Sequence, residues 1–351
     1  MELDDLPQEI LINIFSRLPP KSLGKCRCLA KSYRDKLSTP HFIKSHLTRK
    51  PHQENLLLIT PSYSVRSICT IKDDAIWRKL ELPGDWSPVV GSCDGLVLLI
   101  NKGFEKFLVN PITLQMVKVP NSPLALDRDE SVCLAGFGYD SCSDDYKVVT
   151  LSHYDTINKP RPNDIFVDVY SVKKGVWKRL DSYPYDHPVE LSHGAFVNGA
   201  IHWLASSREP GYQSVIAAFN LADEVFVEIP VPRGVDVRDF AFSKLVALGG
   251  CLCIIDDQGN SPTNVRIMKE YGLDDSWTKF SIHADYEWDM AKPLCLIGDE
   301  DVVLVTEGET LVVYNRTLET LRDMVVDGGP GMAIIGCTFV ESLVSPALIS
   351  A

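Results

Sequence analysis

Two periods of hydrophobicity divide the chain, a helical one up to about residue 50 and a strand-like one beyond it. In LPQEILINIFSRLPP, Ile10, Ile14 and Leu18 recur at i, i+4 and i+8, with Leu11 and Phe15 forming a second stripe beside them. This predicts a helix with Asp4 or Asp5 as N-cap and Pro7 tolerated near its start. Pro19-Pro20 ends it, because the residue before a proline is pushed out of the α region. Lys21 to Leu37 reads as one or two short helices, and Pro40-His41-Phe42-Ile43 opens another that runs through Leu47. A segment of about forty residues rarely holds a core unaided. Two adjacent apolar stripes exceed what three short helices cover among themselves, so one stripe is expected to face a partner. Periodicity alone leaves open that it packs on the following domain instead.

Beyond residue 50, apolar runs alternate with turn residues. Asn55 to Ile59 is a first strand, followed by a segment ending in Trp77-Arg78-Lys79-Leu80; GSCDGLVLLI (91–100) and FLVNPITLQMVKVP (107–120) each carry an Asp-Gly or Asn-Pro turn. Comparable units recur. GFGYDSCSDDYKVVTL (136–151) leads to FVDVYSVKKGVWKRL (166–180), and GAFVNGAIHWLA (194–205) to VIAAFNLADEVFVEIPVP (215–232). LVALGGCLCII (245–255) leads to VRIMKEYGLDDSWTKF (265–280), and PLCLIGDEDVVLVTE (293–307) to LVVYNRTLETLRDMVV (311–326). A repeat of roughly 45 residues lies in the propeller range. One four-stranded unit cannot bury both of its faces, so about six blades are expected to stack radially from Asn55 onward. The run IIGCTFVESLV (334–344) is too short for a blade and is expected to pair with the first one and close the ring. The predicted architecture is a small all-α domain over residues 1–50 and an all-β, kelch-like propeller over residues 51–351.

Charge sharpens the division. Residues 1–50 carry ten Lys/Arg against five Asp/Glu, a net of +5, leaving 25 basic and 42 acidic residues, −17, in the rest. The acidic body argues against a sequence-blind nucleic-acid binder, which needs a basic stripe, and the basic head is suited to an acidic protein partner. Ten cysteines in 351 residues, with Cys26/Cys28 and Cys251/Cys253 as the only close pairs, form no secreted disulfide framework and no C-x-x-C site. The start MELDDLPQEI has no basic region followed by an apolar one, and no run reaches the roughly 18 apolar residues that span a bilayer. A soluble protein of the cytoplasm and/or nucleus, with no membrane partner, is the expectation.

No catalytic, metal or cofactor site emerges. Gly136-Phe137-Gly138 lacks a third glycine and opens onto a strand rather than a helix, unlike a dinucleotide-binding loop. His153, His187, His193, His202 and His283 are scattered without metal spacing, and His202 beside Trp203 reads as part of a buried repeat strand. Asp73-Asp74, Asp144-Asp145, Asp256-Asp257 and Asp274-Asp275 read as solvated turn residues. Asn315-Arg316-Thr317 is a formal glycosylation acceptor without meaning unless the chain is secreted. Tyr170 with Trp177 and Tyr271 with Trp277 recur at similar places, which points to blade packing rather than a binding pocket. Binding residues are expected on the least repetitive loops, Tyr154 to Asp164, Ser182 to Pro188, Arg208 to Gln213 and Tyr286 to Lys292, with Tyr183, Tyr185, Tyr212, Tyr286 and Trp288 as aromatic anchors for a protein substrate.

Leu6-Pro7, Glu9-Ile10, Ile14, Arg17-Leu18-Pro19, Lys21-Ser22-Leu23, Cys26-Arg27, Lys31 and Pro40-His41-Phe42-Ile43 resemble the F-box of plant F-box proteins. GFGYDSCSDDYKVV, VYSVKKGVWKRL, NGAIHWL, GGCLCII, MKEYGLDDSWTKF and VESLVSP resemble the type 1 F-box-associated, kelch-like domain of the same family, across residues 90–348, and within it the group of the pathogenesis-response regulator type. The resemblance implies a non-enzymatic substrate receptor of a Skp–cullin–F-box ubiquitin ligase, bound to a Skp-type adaptor and through it to cullin and RING subunits. It assigns Leu6, Pro7, Ile10, Ile14, Leu18, Pro19 and Leu23 to adaptor contact. Two positions depart from the family: Tyr33 stands where Trp is usual, and Gly24 replaces an aliphatic residue inside a helix, changes expected to weaken adaptor binding. The competing readings are a non-degradative scaffold or decoy with the same domains, and a propeller enzyme with a helical appendage.

Overall fold

The computed structural model describes residues 7–49, 54–60, 65–69, 75–82, 84–126, 131–154, 165–181, 183–186, 193–207, 213–233, 235, 243–256, 262–283, 292–298, 300–306, 310–324, 326–327 and 335–347. It consists of a small helical domain followed by an all-β propeller.

Four helices open the chain: α1 Gln8–Phe15, α2 Pro20–Leu29, α3 Lys31–Leu37 and α4 Pro40–Arg49. The N-cap of α1 is Pro7, not Asp4 or Asp5, which lie outside the described residues; the Pro7 carbonyl accepts from the Ile10 and Leu11 amides at 3.0 and 3.1 Å. Helix α1 stops at Phe15 rather than running on to Leu18, and the Ser16 hydroxyl donates to the Asn13 carbonyl at 2.8 Å in the turn that follows. Pro20 then opens α2 at a first-turn position, where a proline's missing N–H costs nothing. The Thr39 hydroxyl caps α4 by accepting from the Phe42 amide at 3.3 Å. Leu11, Phe15, Leu23, Tyr33, Leu37, Phe42 and Ile43 fill the bundle's core, with the Phe15 and Tyr33 rings edge to face at 5.4 Å. Tyr33 is thus a core residue, and its replacement of a larger ring acts through the bundle's packing rather than at a docking surface.

The strands run in chain order as β1 Glu54–Ile59, β2 Val65–Cys69 and β3 Ala75–Lys79; β4 Trp86–Cys93, β5 Leu96–Asn101, β6 Lys106–Val109 and β7 Met116–Val119; β8 Ser131–Asp140, β9 Asp145–Tyr154, β10 Phe166–Ser171 and β11 Val176–Arg179. There follow β12 Tyr185–Asp186, β13 Ala195–Val197, β14 Ala200–Ser207, β15 Ser214–Asn220 and β16 Val225–Pro230; β17 Ser243–Leu248, β18 Cys251–Asp256, β19 Thr263–Met268 and β20 Trp277–Ile282; and β21 Lys292–Ile297, β22 Asp301–Val305, β23 Leu311–Asn315, β24 Thr320–Asp323, β25 Val326–Asp327 and β26 Ile335–Val340. They form six sheets, each built from consecutive antiparallel strands, except that β26 and β25 return to the first sheet. Strand β26 pairs antiparallel with β1, from Glu54 opposite Val340 to Ile59 opposite Ile335. The innermost strands β4, β8, β13, β17, β21 and β26 touch in succession, and β26 meets both β21 and β4.

Burial peaks in the second strand of the sheets and falls to the outermost. Residues 96–99 of β5 and 200–206 of β14 are all buried, while β11, β16 and β24 are largely exposed. A strand covered on both faces reads as a continuous apolar run and not as an alternation. At some points where β8 meets the next sheet there is no room for a side chain. A Cβ on Gly136 or Gly138 of β8 would fall on Ile201 or on the Phe196 ring of the next sheet, so this glycine pair serves close packing.

The outer hairpins share one turn. Asn110, Asn220 and Asn315 each accept two backbone amides, from residues two and three further on, through the side-chain oxygen. The fourth residue after each, Leu114, Glu224 or Glu319, has φ of 58°, 55° or 51°. These Asx turns are what the strings NPIT, NLAD and NRTL encode, so Asn315 is a turn residue.

Buried charges are paired both within sheets and between them. The Lys147 ammonium of β9 meets Asp140 and, from the turn of the next sheet, Glu224, both at 3.0 Å, and donates to the Leu221 carbonyl at 2.5 Å. Burial works against its charge, but the hydrogen bonds to Glu224 and Asp140 outweigh it and hold Lys147 above the ordinary lysine range. Tyr170 and Trp177 face each other across β10 and β11 at 5.0 Å, and the Trp177 indole donates to the Pro120 carbonyl of the second sheet at 3.0 Å. The aspartate pairs are not uniformly solvated: Asp145 is buried and accepts from the Lys173 amide at 2.8 Å, and Asp256 is buried, accepting from the Ser243 hydroxyl at 2.9 Å and pairing with Arg266. Asp144, Asp274 and Asp275 are exposed, and Asp73, Asp74 and Asp257 lie outside the described residues.

Two substitutions test this packing by chemical denaturation. Lys147→Met leaves the buried Asp140 carboxylate without its cation, while Glu224 keeps Lys178, and is expected to cost about 3–5 kcal/mol. Gly24→Ala meets nothing within 4 Å and is expected to stabilise the helical domain by about 1 kcal/mol through helix propensity.

Candidate functional site

Of the two stripes on α1, the bundle covers one. Leu11 and Phe15 are 2% and 5% exposed, whereas Ile10, Ile12 and Ile14 remain 48%, 36% and 41% exposed. Ile10 and Ile14 stand one helical turn apart, so their side chains form a continuous ridge. Pro7 and Pro19 are exposed at its two ends, and Leu18 is half-buried against the core. Leu6 lies outside the described residues. Leu23 departs from its expected place. It is completely buried, because α2 turns this residue onto Leu11 and Phe15's side of the bundle, and so it shapes the ridge from beneath instead of touching a partner. Leu29, 75% exposed at the end of α2, is an apolar residue that periodicity did not single out, since it closes a helix with a weak apolar stripe. Lys21, Lys25, Lys31 and Arg34 are exposed on α2 and α3.

Helix α4 joins the bundle to the propeller. His46 Nε2 is 2.9 Å from the Leu18 carbonyl, holding α4 to the end of α1. Lys44 Nζ donates to the Tyr139 hydroxyl at 3.3 Å and pairs with Asp144 at 3.2 Å, and these hydrogen bonds, Tyr139 foremost, raise the lysine's pKa. The core of the bundle runs without a break into Val90, Leu96, Leu98, Tyr146, Leu343 and Val344 of the propeller. This junction leaves the Ile10–Ile14 ridge open.

The aromatic anchors expected for a substrate fare differently. Tyr183 and Tyr185 are 3% and 4% exposed, stacked edge to face with each other at 5.5 Å and with Phe226 at 4.9 and 6.1 Å. Tyr185 belongs to β12, which pairs with Ser206 and Ser207, so the segment is sheet and core rather than a presenting loop. Tyr212, Tyr286 and Trp288 lie outside the described residues, as do most of the four loops expected to carry recognition.

His202 is fully buried, with Nδ1 2.9 Å from the Ala195 carbonyl and Nε2 2.8 Å from the Tyr271 hydroxyl of the neighbouring sheet. Burial depresses its pKa to about 4, and does the same for His193, whose Nδ1 accepts from the Ala135 amide at 3.4 Å. Both rings are neutral structural links at neutral pH.

A small helical module with an open apolar ridge is seated on an all-β propeller, a two-domain class of protein. The F-box domain profile matches residues 3–45 and the F-box associated beta propeller domain profile matches residues 54–346. The chain belongs to the plant F-box proteins that carry this propeller. It is 31% identical to F-box protein CPR1 of Arabidopsis thaliana, over 90% of this chain and 84% of that protein. It is 29% identical to an F-box/kelch-repeat protein of Arabidopsis thaliana, over 97% of this chain and 96% of the relative. A further F-box protein of the same plant is 26% identical over 93% and 89% of the two chains.

The buried histidines set an acid limit on the fold. A folded pKa depressed from 6.5 to about 4 gives stability that is complete above pH 6.5 and lost as pH falls toward 4. Each ring is expected to cost about 2 kcal/mol between pH 7 and pH 5. Urea titrations at the two pH values test this, and His202→Gln should roughly halve the difference whatever it does to stability at pH 7.

Proposed function

We propose that this chain is the substrate-recognition subunit of a Skp–cullin–F-box ubiquitin ligase. The observation that carries the reading is the ridge of Ile10 and Ile14, 48% and 41% exposed on a bundle whose core is filled by Leu11, Phe15, Leu23, Leu37 and Phe42. Burying what remains exposed of these side chains yields roughly 0.7–1.5 kcal/mol each, a contribution to anchoring a partner helix. Pro7, Leu18 and Pro19 flank the ridge and join it in the proposed adaptor contact, the exposed lysines around it favour an acidic adaptor surface, and family membership supplies the identity of that adaptor as Skp-type.

The propeller is proposed as the platform for a target protein. Its six sheets act as blades of one ring, in which β26 brings the C-terminal end of the chain into the first blade; the support is its pairing with β1 and its contacts with β4 and β21. A platform locked to the F-box through α4 holds its target at a set distance from a conjugating enzyme carried elsewhere in the complex. Transfer is then accelerated by raised effective concentration, with the covalent chemistry left to other subunits.

Co-purification with a plant Skp-type adaptor tests the reading. The wild-type chain is expected to bind, and Ile14→Asp to weaken binding at least tenfold while leaving the melting temperature unchanged, because Ile14 is exposed. Absence of adaptor binding by the wild type, or full binding by Ile14→Asp, would remove the assignment. Proteasome inhibition separates a degradative receptor, whose target then accumulates, from a scaffold or decoy.

A further inference from the structure

Strand β16 differs from other outer strands of the propeller. The strands β7, β11, β20 and β24 carry Lys118, Lys178 with Arg179, Lys279 and Arg322, the kind of charge with which an exposed sheet edge avoids pairing with another chain. The sequence of β16, VFVEIP, has no basic residue. Among the described residues β16 pairs only with β15, so its other edge presents unpaired N–H and C=O groups. Val225 and Val227 point to one face of the strand and remain 49% and 48% exposed.

The edge is held in place from both sides. Phe226, between the two valines, turns to the opposite face and packs on Phe219 at 4.8 Å and on Tyr183 at 4.9 Å. On the face of the valines, the strand register sets His202 opposite Ala218 and Ala218 opposite Val227, one cross-strand row. The Tyr271 hydroxyl, from the β19–β20 hairpin of the next sheet, is 2.8 Å from His202 Nε2, so Tyr271 lies against the face that carries Val227. Tyr271 is itself 37% exposed, and Leu273, which follows it in the same hairpin, is 54% exposed. An open strand edge thus adjoins a step of exposed apolar side chains at the rim between two sheets, and a grouped apolar surface of this kind marks a contact site where single residues do not.

Charge selects the occupant. Residues 221–230 and 269–276, which build the edge and the hairpin, contain Asp223, Glu224, Glu228, Glu270, Asp274 and Asp275 against Lys269. Of these, Glu224 is matched by Lys147 and Lys178. Arg233 and Lys279 lie further along, beyond Pro230 and within β20. A second copy of this chain would set two such surfaces, on two acidic propellers, against each other, and their repulsion opposes it. An acidic strand laid beside Glu228 is disfavoured for the same reason. What the edge accepts is a strand of another protein that carries no acidic side chains.

We propose that an extended segment of the target protein, apolar at alternate positions and free of acidic residues, adds to β16 as a further strand, its main chain pairing with the open edge and its apolar side chains covering Val225 and Val227 beside Tyr271 and Leu273. Main-chain bonds supply the affinity of such an addition, and the apolar step fixes its register. The proposal rests on the reading of the propeller as a protein-binding platform.

The test pans a display library of random dodecapeptides on the full chain bound to its Skp-type adaptor, and measures the selected peptides against the wild type and Val225→Lys/Val227→Lys. The expected result is a peptide whose binding weakens at least tenfold in the double variant, at least tenfold when its alternate backbone amides are N-methylated, and at least fivefold when two of its residues are replaced by glutamate. Its binding is also expected to slow hydrogen exchange of the amides in 225–229. Selection of no peptide sensitive to the double variant, or binding indifferent to N-methylation, overturns the proposal. Concentration-dependent dimerisation of the wild type that the double variant abolishes assigns the edge to a second copy and overturns the target segment as occupant. Both valines are exposed, so the double variant is expected to keep its melting temperature and its adaptor binding. Failure at the edge with adaptor binding intact leaves the ligase assignment standing, whereas loss of wild-type adaptor binding strikes that assignment alone.

Discussion

Each sheet of the propeller has two apolar faces, and neither can be left to water. That requirement governs the rest. It makes the middle strands apolar throughout, as in residues 96–99 and 200–206, and draws glycine to positions such as Gly136 and Gly138 where the inner strands converge. It also brings Ile335–Val340 back across the whole domain to pair with Glu54–Ile59, so that the first sheet is completed from both ends of the domain. Pairing of strands so far apart in the chain is entropically costly.

The helical domain meets the same requirement with too few residues. Its core accounts for Leu11, Phe15, Leu23, Tyr33, Leu37, Phe42 and Ile43, and then continues into the propeller through α4 and the Leu343–Val344 segment. What remains is the Ile10–Ile14 ridge. An open ridge on a bundle already committed on its other side is a surface available for association.

Several polar groups buried between the sheets find partners in the neighbouring sheet. Lys147 reaches Glu224, Trp177 reaches Pro120, and His202 reaches Tyr271. Stacked apolar faces are indifferent to small slides, whereas a buried hydrogen bond or ion pair is lost within about an ångström of displacement. These links therefore define how each sheet sits on the next. They also make the assembly sensitive to acid, because a neutral buried imidazole must either exclude a proton or leave its place.

Much of this was legible from residue order alone. The change from a helical to a strand-like period near residue 50, the apolar stripes of α1, the recurring hairpins and the resemblance to an F-box with its propeller all reside in local pattern, which depends only on neighbours in the chain. Which stripe of α1 would be covered did not, since Leu11 and Ile10 are alike in hydrophobicity and differ only in what packs against them. The same reason misplaced Leu23, Tyr183 and Tyr185: an apolar or aromatic side chain carries no mark of whether another element lies over it, and α1 and the Phe226 cluster do. It also misread Asp145 and Asp256 as solvated, because their partners Lys173 and Arg266 are supplied by strand pairing. Local chemistry determined the elements and their family; long-range packing decided which residues of each element meet water, and so where another molecule can bind.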